Sequence, residues 1–338
     1  MKAIGYRRSL PITDPQALED VELPTPTPGP RDLLVRVSAV SVNPVDTKIR
    51  RSRQPAEGTV EVLGWDAVGV VEAIGDAVSL FSVGDRVFYA GAINRPGTNS
   101  EQHLVDERIV ARAPVSLDDE AAVALPLTSI TAYELLFDRL RIAKGGGAGR
   151  KLLVVGGAGG VGSILIQLAR QLTQLEIIAT ASRPETRQWC LDLGAHAVID
   201  HRQPLSAGLQ AAGVGHVDFV ASLTQTEQHY EEIIASLKPQ GALAVIDDMV
   251  GLDAMKLKTK SISLHWELMF TRPLFETPDM GEQGRLLAEV AALVDAGRLR
   301  STVNHRLGLI NAENLRRAHA LIESGTAQGK VVLVGFGA

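Results

Sequence analysis

At 338 residues the chain is longer than one ordinary hydrophobic core, and its length points to two domains. Hydrophobic residues make up 45% and charged residues 22%, with 32 glycines, a globular composition rich in tight turns. A net charge of -5 provides no field to hold nucleic acid or an acidic membrane surface, so neither is an expected partner. Met1 to Ser9 contains no apolar signal core, and no uninterrupted apolar run is long enough to span a bilayer, so a soluble, cytoplasmic protein is expected. Cys190 is the only cysteine, which excludes an intrachain disulfide and a cysteine-cluster zinc site. Its setting, a helix ending at Gly194, reads as a packed, inert thiol.

From Met1 to about Val110 short apolar runs such as Leu33 to Val40 and Ala67 to Ile74 alternate with glycine and proline turns, so this part is mostly sheet. Pro24 to Pro30 reads as an extended surface connection, and Gly84 to Phe88 as a turn feeding a strand. Between Asp118 and Phe137 the period becomes helical, broken at Pro126, and a domain junction is expected there. Lys144 to Arg150 is a glycine-rich surface loop. Leu152 to Val155 then reads as a strand that breaks into glycines and resumes as the helix containing Ile164 to Ala169.

After this unit the pattern alternates: strand Ile177 to Thr180, helix Pro184 to Leu193, strands Ala197 to Ile199 and Val217 to Val220, helix Thr226 to Leu237, strand Ala242 to Ile246. Wholly apolar strands alternating with helices imply a parallel sheet covered on both faces, here a doubly wound domain over about 127–270. The tail holds helices near Glu282 to Asp295 and Ala312 to Ser324 and a strand Lys330 to Val334, expected to return to the β-rich part. The fold class is therefore α/β, a doubly wound parallel-sheet domain inserted in a β-rich one, with domains at 1–126 plus 271–338 and at 127–270.

Gly157, Gly159 and Gly162 fit the G-x-G-x-x-G spacing, in which glycines let helix-terminal amides approach a pyrophosphate. A glycine-rich turn with no ligand has the same spacing, so the strand tips decide. NAD-binding versions carry an acidic residue about 20 residues beyond the glycines, whereas here the second strand runs into Ala181-Ser182-Arg183. Ser182 can donate to a 2′-phosphate and Arg183 can pair with it, which favours NADPH; Arg187 is a possible second cation. The plainer alternative for Arg183 is a solvated arginine before a proline helix start.

A β-rich first third, an inserted dinucleotide fold and a returning tail resemble the medium-chain dehydrogenase/reductase superfamily along the full length. The resemblance implies a Rossmann domain within a GroES-like catalytic domain. Where zinc-dependent members have a cysteine, a histidine and a third ligand, this chain has Asn43, Trp65 and Leu127, and the structural-zinc lobe is replaced by Asn94 to Asn99. Amide, indole and alkyl groups cannot replace thiolate and imidazole around zinc, so no metal is expected. The chain resembles the zinc-free quinone oxidoreductase branch, and in Gly64 to Ala67, Ala181 to Thr186 and Leu268 to Pro273 its members labelled zinc-type alcohol dehydrogenase-like.

That resemblance implies a pyrophosphate lined by Gly159, Gly160 and Val161, with Thr128 and Thr131 at the nicotinamide end. It puts Ser222, Ile246 and Asp247 at strand ends where the cofactor crosses, and His201 toward the 2′-phosphate. Asn43 and Asp46 become the acceptor-side candidates; Asn43 either donates to a carbonyl or satisfies its loop, and Asp46 has an alternative as N-cap of a helix beginning at Thr47. His265 has both a site and a packed alternative. The expected activity is NADPH-dependent hydride transfer to a quinone or other α,β-unsaturated carbonyl substrate by a homodimer; a zinc alcohol dehydrogenase and a low-turnover NADPH-binding sensor stay open as alternatives.

Overall fold

The computed structural model describes residues 1–337. Its first elements are β1 (Lys2–Tyr6), β2 (Glu19–Glu22), β3 (Asp32–Val42), α1 (Pro44–Ser52), β4 (Glu61–Val62), β5 (Ala67–Ile74), β6 (Arg86–Tyr89), β7 (Gln102–Asp106), β8 (Val110–Arg112), α2 (Asp119–Ala122) and α3 (Pro126–Tyr133). There follow β9 (Lys151–Val155), α4 (Gly160–Leu172), β10 (Glu176–Thr180), α5 (Pro184–Asp192), β11 (Ala197–Ile199), α6 (Leu205–Ala211), β12 (Val217–Ser222), α7 (Thr226–Ser236), β13 (Leu237–Val245), α8 (Met255–Lys258) and β14 (Ser263–Trp266). The tail adds α9 (Thr271–Phe275), α10 (Glu282–Asp295), β15 (Val303–Arg306), α11 (Ala312–Glu323) and β16 (Lys330–Val334). These elements form two compact units, Met1–Ile130 with the tail from Phe270, and Thr131–Met269.

In the first unit β3 is the central strand, pairing antiparallel with β5, β7 and β16. The returning strand fixes a register that matters for the site: Val331 lies opposite Val42, so the residue that opens β16, Lys330, arrives beside the end of β3. A small second sheet, β2-β1-β4, completes the unit among the described residues. It was not legible in the sequence, because Glu19–Glu22 and Glu61–Val62 are too short and too polar to show alternation.

In the second unit six parallel strands run in the order β11-β10-β9-β12-β13-β14 among the described residues. Leu153, Val155, Ile178, Val220, Leu243 and Val245 are buried together, which accounts for strands apolar on both faces. From β9 the chain moves outward to β10 and β11 and then resumes on the other side at β12. This reversal is where such sheets bind ligands, beyond the carboxyl ends of their strands.

The helical stretch Asp119–Arg139 is, by length and composition alone, long and apolar enough to cross a membrane. Its apolar window is 78% buried, so its apolar character is accounted for by core packing.

Candidate active site

The glycine turn is tied to β10 by two hydrogen bonds to Thr180. Gly156, not one of the spaced glycines, takes φ +88°, a left-handed conformation that a side chain resists, and its N–H donates to Thr180 Oγ1 at 3.0 Å. Gly157 N–H donates to Thr180 O at 3.2 Å. A Cβ on Gly162 would overlap the carbonyl oxygen of Gly156 and lie 2.6 Å from that of Gly157, so only glycine lets α4 start this close to the strand. Gly159 is the N-cap, with no side chain capping the helix, and Gly160 and Val161 form the first turn. The amides of this turn are the groups a pyrophosphate takes. Beneath it Cys190 is buried, and burial pushes its thiol up to about 12, an unreactive group.

At the tip of β10, Ser182 and Arg183 precede α5, whose first residue is Pro184. Arg183 Nε pairs with Glu185 at 3.1 Å, Arg183 being partly and Glu185 largely exposed. Arg187 also stands at this tip, where Nη2 donates to Val198 O at 2.9 Å and Nη1 to Ala181 O at 3.5 Å. Arg202, which sequence reading missed, stands at the same tip. Its Nη2 donates to Ser182 O at 3.1 Å while its guanidinium grips Asp200, whose carboxyl it holds below the usual range. The only available signal was its position three residues after β11. His201 lies between these, its ring 6.2 Å from that of His229.

Across the ends of β12 and β13, Ser222 Oγ and Thr226 Oγ1 share a hydrogen bond of 2.7 Å, and the Asp247 carboxylate accepts from the Thr226 hydroxyl and, at 2.9 Å, its N–H. Ile246 N–H donates to Ser222 O at 3.3 Å. Thr131, also in this unit, is buried. Ser222, Ile246 and Asp247 lie at the carboxyl ends of parallel strands β12 and β13, and Thr131 lies on α3.

In the first unit a second set of polar residues is buried. The helix after β3 starts at Pro44, which suits the first helical position, so Asn43 and not Asp46 is its N-cap. Asp46 sits in the first turn, where Oδ2 accepts the Asn43 N–H at 2.7 Å and Oδ1 has no hydrogen-bond partner. Burial raises its carboxyl from 3.8 to about 7. The Asn43 side chain turns away from the helix: Nδ2 donates to Asp66 Oδ2 at 2.8 Å, and Oδ1 accepts from the Lys330 ammonium. Asp66 also accepts from Ser41 Oγ at 2.6 Å, Lys330 Nζ at 3.0 Å and Leu127 N–H at 2.7 Å. Thr128, at the same helix end, returns its hydroxyl to Leu125 O at 3.2 Å. Asp66 and Lys330 were absent from the sequence-derived site, since nothing local marks a lysine 264 positions away as a partner. His265, in the second unit, contacts Ser263 Oγ at 3.2 Å.

Asp46 makes stability depend on pH in a defined direction. The folded chain holds this proton more tightly than the unfolded one, so its contribution is greatest below the ordinary 3.8 and is lost as pH rises toward about 7. Wild type is therefore expected to lose stability relative to Asp46→Asn between about pH 4 and 7. Denaturant unfolding across that range tests it; parallel curves would mean that Asp46 is ionised in the fold.

A parallel-sheet domain with an open glycine turn, set within a β-rich chain, defines a dinucleotide-binding oxidoreductase. The chain belongs to the medium-chain dehydrogenase/reductase superfamily. Residues 29–114 match the alcohol dehydrogenase GroES-like domain and residues 193–333 the zinc-binding dehydrogenase domain. It is 39% identical to a zinc-type alcohol dehydrogenase-like protein of Staphylococcus epidermidis, over 98% of this chain and 99% of that one. A solved Rhizobium etli CFN 42 protein, assigned by name to the zinc-dependent alcohol dehydrogenases, is 58% identical with a TM-score of 0.97, covering 100% and 99% of the two chains. Escherichia coli quinone oxidoreductase complexed with NADPH is 25% identical with a TM-score of 0.84, covering 99% and 100%.

The residues do not fit the zinc of those names. The Asn43 oxygen is engaged by an ammonium, Trp65 Nε1 is a donor bonded to Ala92 O at 3.2 Å, and Leu127 has only its backbone to offer. A zinc ion beside the buried Lys330 would face a cation where ligands are needed.

Proposed function

We propose that this protein is an NADPH-dependent reductase of quinones or other α,β-unsaturated carbonyl compounds that works without a catalytic metal. The observation that carries the reading is the tip of β10: Ala181-Ser182-Arg183 has no carboxylate for a ribose 2′-hydroxyl, and guanidinium groups of Arg183 and Arg202 stand there instead. Gly157, Gly159, Gly160 and Val161 hold the pyrophosphate, Ser182, Arg183 and His201 the 2′-phosphate end, and Ser222, Ile246 and Asp247 the segment crossing the strand ends. Thr128 and Thr131 serve the nicotinamide end. The bound cofactor supplies a hydride. Asn43 donates to the acceptor oxygen as charge develops on it, and Asp46 fixes the Asn43 loop through the Asn43 N–H. A conjugated acceptor suits so modest an electrophile better than an isolated ketone does. Homodimerisation is part of the same proposal, supported by β14, an edge strand that carries the exposed Trp266.

Two variants test the assignment. The partly exposed Arg183–Glu185 pair is worth little in water and yields readily to a phosphate. A charge-assisted contact contributes about 1.5–3 kcal/mol, so Arg183→Ala should raise the KM for NADPH at least about tenfold with little change for NADH. Equal losses for both cofactors would overturn the choice of NADPH. Asn43→Ala should lower kcat on quinones or enones by about a hundredfold, the scale of one lost oxyanion donor, and leave NADPH affinity near wild type. A loss of cofactor affinity with kcat intact would remove Asn43 from the acceptor side.

A further inference from the structure

Lys330 opens β16 and is only 2% exposed, although it carries a full charge. Its Nζ meets Asp66 Oδ2 at 3.0 Å, the Asn43 carbonyl oxygen, and Val42 O at 3.5 Å, which engages all three of its donors. Asp66 is fully buried and saturated by Ser41, Asn43, Lys330 and the Leu127 N–H. A buried ion pair of this kind is a poor way to stabilise a core, since well-packed apolar residues of similar volume do as well or better. Its consequence lies in the third member. A carboxamide offers one carbonyl and two N–H bonds. In Asn43 the carbonyl faces a cation and one N–H goes to Asp66, while the other has no hydrogen-bond partner among the described residues. An amide whose oxygen accepts from an ammonium loses electron density at nitrogen, so its remaining N–H becomes a stronger donor.

We propose that Lys330 is a positioning residue that fixes and polarises the Asn43 carboxamide, making its second Nδ2–H the electrophilic donor to the oxygen of the acceptor. The cation thereby performs, through an amide, the polarising task that a metal performs in zinc-dependent dehydrogenases, and no proton leaves Lys330. The inference rests on the assignment of Asn43 to the acceptor side.

The test is the charge-neutral pair Asp66→Asn/Lys330→Met, which removes both buried charges together and so avoids an orphaned carboxylate. We expect a folded protein that binds NADPH as wild type does and whose kcat with a quinone or enone falls at least about tenfold with KM nearly unchanged. In protein labelled with 15N-asparagine, the resonance of the Asn43 Nδ2 proton that does not donate to Asp66, identified by its absence from Asn43→Ala, should move upfield in the double variant. Unchanged kcat, or unmoved Asn43 resonances, would overturn the proposal and leave Lys330 as packing. Asn43→Ala with full turnover would defeat the acceptor-side assignment and this inference with it. A wild type inert toward every acceptor would defeat the proposed function alone, while the resonances still decide whether Lys330 polarises Asn43.

Discussion

Gly160→Asp is expected to abolish dinucleotide binding and to leave a folded, slightly more stable protein. Gly160 is the first residue of α4, where an acidic side chain favours the helix dipole and adds a few tenths to about 1 kcal/mol. The same carboxylate stands among the amides assigned to the pyrophosphate. Two like charges about 4 Å apart repel by about 4 kcal/mol near a protein surface, so NADPH affinity should fall by at least about a hundredfold. Fluorescence titration with NADPH, beside thermal unfolding, reads both effects. Unchanged affinity would put the phosphates somewhere else, and a collapsed fold would show that the turn has no room for a side chain at this position.

Lys330→Met alone should destabilise the chain by about 3–5 kcal/mol, because it leaves the Asp66 carboxylate buried without its counter-charge. Adding Asp66→Asn should restore most of that loss, since the carboxamide it introduces is neutral and keeps an acceptor for the Leu127 N–H. Denaturant midpoints of the single and double variants measure it. A loss under about 1 kcal/mol in the single variant would mean that the pair matters little to the fold.

The nucleotide fold was legible because its signals are local. Leu152–Val155 is apolar on both faces, the glycines follow at once, and the missing carboxylate after Thr180 can be read directly. Even there the decisive left-handed residue was Gly156, outside the spaced motif, because the spacing records where side chains are forbidden by packing and not which residue turns. Arg187 is a possible second cation from its place on α5, and what the sequence does not show is that its guanidinium bonds Val198 O and Ala181 O. The acid cluster was half legible. Asn43 and Asp46 share a loop, but Asp66 and Lys330 reach them through strand register, and β16 pairs with β3 across nearly the whole chain. Asp46 was weighed as an N-cap; Pro44 moved the helix start forward and turned it into a buried, proton-holding carboxyl.

Metal-free hydride transfer from NADPH to a conjugated carbonyl is tested most directly by following deuterium from [4-2H]NADPH into the products of a quinone and enone panel, using protein stripped of metal by a chelator. Acceptor-dependent NADPH consumption is expected, with deuterium at the reduced carbon of the enone products and no gain on adding zinc. Tight NADPH binding with no transfer to any acceptor, or transfer that appears only when zinc is restored, would contradict it.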